Sequence, residues 1–110
     1  MDAEQVGRND AIFREANEHI EEAAEKVGHS GTVPFICECA DPSCREIVRL
    51  TFEEYEHVRD RSTTFVNAPG HQAVAPHAVN VVERADGYVI VEKIGRAAEV
   101  AEERDTRQPQ

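Results

Sequence analysis

The chain has no tryptophan, one methionine and few rings: Phe 4 and Tyr 2 make up 5% of its 110 residues. A core built from it must be aliphatic, resting on Val, Ile and Ala. No apolar run approaches the roughly 18 residues that a membrane span requires. The opening Met1-Asp2-Ala3-Glu4-Gln5 lacks the basic and apolar regions of a secretory signal. Positive charge is also scarce. Lys+Arg number 12 against 22 Asp+Glu, a net charge of −10, and no segment forms a basic patch. Binding to a phosphate backbone gains its affinity from Lys and Arg. The charge therefore argues against nucleic acid and against an anionic membrane surface, and leaves a protein partner, possibly a basic one. No Gly-rich phosphate cradle, G-x-S-x-G, H-E-x-x-H or H-x-E…P-C-x-x-C pattern is present, which weighs against an enzyme.

Cysteine is scarce too, but it is concentrated. All three lie in Phe35-Ile36-Cys37-Glu38-Cys39-Ala40-Asp41-Pro42-Ser43-Cys44, spaced C-x-C-x4-C. Three thiols cannot all pair within one chain, and clustered thiols in a reducing cytoplasm more often bind metal than form disulfides. Structural zinc is tetrahedral and takes Cys thiolates and His nitrogens. The loop Asn67-Ala68-Pro69-Gly70-His71 offers a distant histidine on a turn that can aim its ring inward. Cys37, Cys39, Cys44 and His71 are the expected Cys3His ligand set for Zn2+, with His77, Asp41 and His29 as competitors for the fourth place. A [2Fe–2S] cluster is the rival occupant on ligand type. If His71 stayed away, three thiolates would leave an open coordination position, and Glu38 is placed to act as a base.

The rest of the chain reads as one α+β domain. Residues 1–8 are expected to be a flexible acidic leader, 9–95 the metal-stapled domain, and 96–110 a partly helical and then disordered tail. Ile12, Phe13, Ala16, Ile20, Ala23, Ala24 and Val27 recur at three- and four-residue spacing. They predict an N-terminal amphipathic helix, starting near Asn9 or Asp10 and stopping at Gly28, whose apolar stripe packs on the domain's own sheet. Strands at 32–36 and 45–50 would form a hairpin tipped by the cysteine knuckle. Thr51-Phe52-Glu53-Glu54 matches a capping box and starts a short second helix reaching about Arg61. A brief strand follows at 64–66. The apolar runs 79–84 and 88–93 flank Asp86-Gly87, a strong signal for a C-terminal β-hairpin in a small antiparallel sheet. His19 and His57 fall on polar helix faces.

These elements together resemble a group of small actinobacterial proteins. The resemblance rests on Arg8-Asn9, Ile12-Phe13-Arg14-Glu15, Asn17-Glu18 with Ile20-Glu21, the cysteine stretch from Phe35 to Cys44, Glu54-Tyr55-Glu56 with Val58-Arg59, Phe65, Pro69-Gly70-His71, Val81-Val82-Glu83-Arg84 and Tyr88 with Val91-Glu92-Lys93. It spans residues 8–93 and implies that the domain is a unit, but it carries no activity over.

The function expected from sequence is a zinc-stabilised, non-catalytic protein-interaction or regulatory domain of the cytoplasm. A thiol-based redox or zinc sensor and a small zinc-dependent enzyme are the alternatives.

Overall fold

A computed structural model describes residues 1–107 of the chain. In order it has helix α1 (Ala3–Lys26), strands β1 (Val33–Ile36) and β2 (Ile47–Leu50), helix α2 (Phe52–Val58), strand β3 (Thr64–Asn67), two 3-10 turns (His71–Val74 and Pro76–Ala78), strands β4 (Val79–Ala85) and β5 (Tyr88–Lys93), and helix α3 (Gly95–Glu103). This is the α+β layout that the periodicities predict. β1 and β2 form one antiparallel pair, and β3, β5 and β4 form a second antiparallel sheet with β5 in the middle. The Asp86-Gly87 turn closes the β4–β5 hairpin between the partnered Ala85 and Tyr88, with Gly87 at φ 86°. Only a residue tolerant of positive φ fits there, which is why Asp-Gly marks such turns.

β5 is apolar on consecutive residues because it is buried on both faces. Tyr88 and Ile90 join a core with Val33, Phe35, Val48, Leu50, Tyr55, Val58 and Val66. Phe35 and Tyr55 stack there, ring centroids 4.2 Å apart. Val89 and Val91 join a second core with Phe65, Val79, Val6, Ala97 and Ala101. The two cores lie on opposite faces of the central strand β5.

Two boundary expectations are corrected. Residues 1–8 are not a flexible leader. The α1 helix begins at Ala3, capped by Asp2, whose side chain accepts the Gln5 N–H at 2.8 Å. Val6 is fully buried. Asp-x-x-Gln is the sequence pattern of such a cap. The tail is also tied down further than expected. Asp105 accepts from Arg59 at 2.6 Å, and Arg107 pairs with Glu18, Glu21 and Glu56 at 2.8 to 3.1 Å. The remainder of the expected disordered tail, 108–110, lies outside the described residues.

The third correction concerns which face of α1 packs. The buried residues are Val6, Gly7, Asn9, Asp10, Ala11, Arg14, Asn17 and Glu21. The apolar stripe packs only in part: Ile20 and Ala24 lie against the first core, while Ile12 is 59% and Val27 80% exposed and Phe13 and Ala16 are half-buried. The physical reason is backbone hydrogen bonding. α1 lies where carbonyls and amides of other segments end without strand partners, and buried polar groups must be satisfied. Asn17 accepts from the Ile36 N–H at 2.9 Å and donates to the Ile36 carbonyl at 2.8 Å, closing the outer edge of β1. Arg14 donates to the carbonyls of Ser62 at 2.6 Å and Ala101 at 2.8 Å, its guanidinium lying over the Phe65 ring. Asn9 donates to the Ala40 carbonyl at 2.8 Å. Apolar side chains could make none of these bonds.

Candidate metal centre

The knuckle is built by hydrogen bonds that hand the chain from one sheet to the other. The Cys37 N–H donates to the Glu46 carbonyl at 3.0 Å, which extends the β1–β2 hairpin by one rung. The next amide, Glu38 N–H, turns to the Val66 carbonyl of β3 at 2.8 Å. At the tip, the Asp41 carboxylate accepts from the Ser43 N–H at 2.9 Å and the Ser43 hydroxyl at 2.7 Å. The Cys44 N–H closes the turn on the Asp41 carbonyl at 3.0 Å. This is the chemistry expected of Asp-Pro-Ser: an Asx turn, with proline fixing its own φ. On the other side, Gly70 adopts φ 90°, and the His71 N–H donates to the Ala68 carbonyl at 3.0 Å. The left-handed glycine reverses the chain so that the imidazole faces the cysteines.

The four expected ligands come together. One ligand atom from each of Cys37, Cys39, Cys44 and His71 lies within 4.8 Å of the others, and the group can hold a metal ion. His71 presents Nδ1, 3.5 Å from the sulfurs of both Cys37 and Cys44. An ion about 2.3 Å from each sulfur and about 2.0 Å from the nitrogen, at tetrahedral angles, sets sulfur–nitrogen edges of roughly 3.5 Å. Those two edges match tetrahedral coordination of one metal ion. Cys37 and Cys39 are buried against the first core, while Cys44 and His71 are half-buried on the outer side. The Ala68 N–H donates to the Cys37 sulfur at 3.2 Å, which stabilises a thiolate there.

The three thiols cannot ionise independently. Hydrogen bonding from Cys37 holds the Cys39 thiol down to about 5. The same bond, with burial, pushes Cys37 well up, and burial raises Cys44. A divalent cation would erase this spread, since each coordinating thiol is deprotonated outright.

Glu38, between the two buried cysteines, is committed elsewhere. It is fully buried, and its carboxylate accepts from Asn17 of α1 at 2.8 Å, the Tyr55 hydroxyl of α2 at 2.7 Å and the Val66 N–H of β3 at 3.0 Å. Burial pushes its pKa up, with the bonds from Asn17 and Tyr55 opposing. Three donors from three elements make it a structural hub rather than a base poised at a metal. Strand-like alternation forecasts this, because the residue between two same-facing cysteines points the other way. The roles of Asn17 and Tyr55 had no sequence signal.

The competitors lie outside the four-ligand group. His29 meets the Thr32 carbonyl at 2.7 Å on the surface, and Asp41 is occupied by its turn. His77 is exposed on the second 3-10 turn. His57 pairs with Glu83 at 2.8 Å, and that hydrogen bond raises its pKa.

Comparison with known proteins found no matching family model, no matching curated protein and no matching solved structure. Among the described residues, no helix is long and apolar enough to cross a membrane.

Proposed function

We propose that Cys37, Cys39, Cys44 and His71 bind one structural Zn2+ ion, and that the chain is a zinc-stabilised protein-interaction or regulatory domain of the cytoplasm. The observation that carries this reading is the closure of the cage: four Cys and His donors meet within 4.8 Å. Four protein ligands satisfy zinc and leave no position for water or substrate. The mutual closeness of the donors favours a single ion over a [2Fe–2S] cluster, whose two irons would spread the ligands into separate pairs. The commitment of Glu38 to Asn17, Tyr55 and Val66 removes the nearest candidate base, which speaks against the zinc-enzyme alternative. The ion would tie the hairpin tip to the loop after β3, and its binding energy would become folding energy.

Elemental analysis of the native protein tests this, with Cys37→Ser, Cys44→Ser and His71→Ala alongside. One zinc per chain, lost or weakened in each variant, is the expected result. Iron with acid-labile sulfide, or no metal, would overturn it. A cobalt-substituted sample should give the absorption of a tetrahedral Cys3His site with no bound water.

The part-exposure of Cys44 and His71 supports a second reading as a thiol-based sensor. Peroxide would take two electrons from two of the thiolates, join them as a disulfide, be reduced to water and release the ion. Reversible zinc release under mild peroxide supports this reading, and retention of the metal excludes it.

A further inference from the structure

β3 lies at the edge of its sheet, with β5 on its inner side. Its outer side is completed by the knuckle. The Val66 carbonyl accepts the Glu38 N–H at 2.8 Å, and the Val66 N–H donates to Glu38 Oε1 at 3.0 Å. One residue thus meets both backbone groups of Val66, as a pairing strand would. Two residues on, the Ala68 N–H donates to the Cys37 sulfur at 3.2 Å. Asn67 is buried between them. With its amide oriented to satisfy its neighbours, it donates to the Glu38 carbonyl at 2.9 Å. The next turn, closed by the His71 N–H on the Ala68 carbonyl, carries the fourth ligand. The segment that presents His71 is therefore anchored on the segment that presents Cys37 and Cys39.

We propose that Glu38 is a positioning residue of the metal centre: by pinning Val66 it sets where His71 meets the three cysteines. The inference deepens the metal reading above and rests on it. Both carboxylate oxygens are needed. Oε1 serves Val66, and Oε2 is held from the far side by the Asn17 amide at 2.8 Å and the Tyr55 hydroxyl at 2.7 Å. Asn17 is itself fixed, because its amide oxygen accepts the Ile36 N–H and its nitrogen also donates to the Ile36 carbonyl. It cannot turn an acceptor toward residue 38. A glutamine would set its NH2 against a donor at either position, the Val66 N–H at one and the Asn17 NH2 at the other. Cys37 and Cys39 keep anchors of their own on both sides. The Cys37 N–H donates to the Glu46 carbonyl at 3.0 Å, and Asn9 donates to the Ala40 carbonyl at 2.8 Å. The loop bearing His71 is the part left to shift. Hydrogen bonds that orient ligands from behind typically change metal affinity 10–100-fold when removed.

The test compares the full chain with Glu38→Gln, His71→Ala and the double variant. Arg59→Met, destabilised by the loss of ion pairs outside this hub, is the control for stability alone. Three quantities are read: zinc affinity by competition with a chelating indicator, the absorption of the cobalt-substituted protein, and the imidazole nitrogen resonances of His71. Glu38→Gln is expected to weaken zinc binding by about 10–100-fold. Its cobalt bands should move toward those of His71→Ala, and its His71 Nδ1 resonance toward that of a free imidazole. Arg59→Met should match the parent in all three. Once His71 is gone its placement no longer matters, so Glu38→Gln should add less than about twofold to His71→Ala. Should Glu38→Gln not fold, Tyr55→Phe carries the test, since it removes one donor from Oε2 and keeps the packed ring. Its spectra should move in the same direction by less, and unshifted spectra would then overturn the proposal. Parent-like affinity and spectra in Glu38→Gln overturn the proposal and leave the metal reading standing. Equal losses in Glu38→Gln and Arg59→Met reduce Glu38 to a stability residue and overturn it, as does an undiminished loss in the His71→Ala background. A parent chain that binds neither zinc nor cobalt sinks the metal reading, and the positioning role with it.

Discussion

In the knuckle, the converging groups are three thiols and an imidazole. In the junction between α1, α2, α3 and residues 105–107, the cations are already present. Arg59, its side chain fully buried, sits between Glu18 and Asp105; Lys93 meets Asp10; Arg107 bridges Glu18, Glu21 and Glu56. Both regions gather polar groups where a small protein would ordinarily place apolar ones. One draws its positive charge from the chain's own Arg and Lys, and the other would draw it from the proposed ion. The two should therefore fail under different insults.

Removal of metal is the largest expected effect. A strong chelator, or Cys39→Ser, should lower the unfolding free energy by more than any substitution discussed below. Structural zinc brings a binding free energy on the order of 10 kcal/mol. Calorimetric unfolding with and without chelator measures the loss. Amide exchange should place it in residues 35–44 and 67–71 first. An unchanged melting curve would mean that the knuckle is ordinary core, and the contrast with the junction would disappear.

Arg59→Met strikes the junction instead. Breaking a buried ion pair from one side strands its partners and costs about 3–5 kcal/mol. Here the stranded group is Asp105, while Glu18 keeps its pairing with Arg107. Urea unfolding should report a loss of that size with zinc content unchanged. Combining the substitution with Asp105→Asn should recover part of it, since neighbours in one network are not additive.

The regions also differ in how far the sequence foretells them. The knuckle is legible because metal ligation needs particular residue types: C-x-C-x4-C, a turn-forming Asp-Pro-Ser, and a histidine behind a Pro-Gly turn leave few other readings. The β4–β5 hairpin and the capped α2 are legible because their signals are local. The junction is not. Arg14, Arg59 and Lys93 look like surface residues on the page, and their burial depends on partners dozens of residues away. The facing of α1 fails for the same reason. Its apolar stripe is the obvious core face by periodicity, yet Asn17 and Arg14 satisfy backbone groups of Ile36, Ser62 and Ala101 that no local pattern reveals.

Titration separates the two regions without mutating the knuckle. Burial pushes the Asp10 carboxyl up to about 7, with Lys93 opposing. A folded-state pKa above the unfolded one means that the native state binds the extra proton. The stability from that proton is complete below about pH 4 and is lost as pH rises toward 7. The size is of order a few kcal/mol. Glu21 has the same sign, raised to about 8 by burial and by its bond to Glu56. Asp10→Asn should therefore flatten part of the decline between about pH 4 and 7. Denaturant midpoints for both proteins across that range check it, and parallel curves would show that Asp10 is ionised throughout.

The smallest expected effect turns on a single methyl group. Gly7 lies inside α1, where replacing glycine by alanine should by propensity alone stabilise the helix by about 1 kcal/mol. Its position in the junction predicts the reverse. A Cβ at Gly7 would come within 2.8 Å of the Val100 Cβ and 2.9 Å of the Ala97 carbonyl oxygen on α3. Neither obstacle is the end of a flexible side chain. Relieving the contact requires α1 and α3 to separate, which strains the buried bond from Arg14 to Ala101. Overpacking of this kind costs about 1–3 kcal/mol, so after the propensity gain the net outcome is a loss of up to about 2 kcal/mol. Urea midpoints of Gly7→Ala against the parent decide the sign. A gain would show that α1 and α3 part easily and that the junction's charges tolerate movement. A loss makes the close approach of the two helices a condition for burying those charges at all.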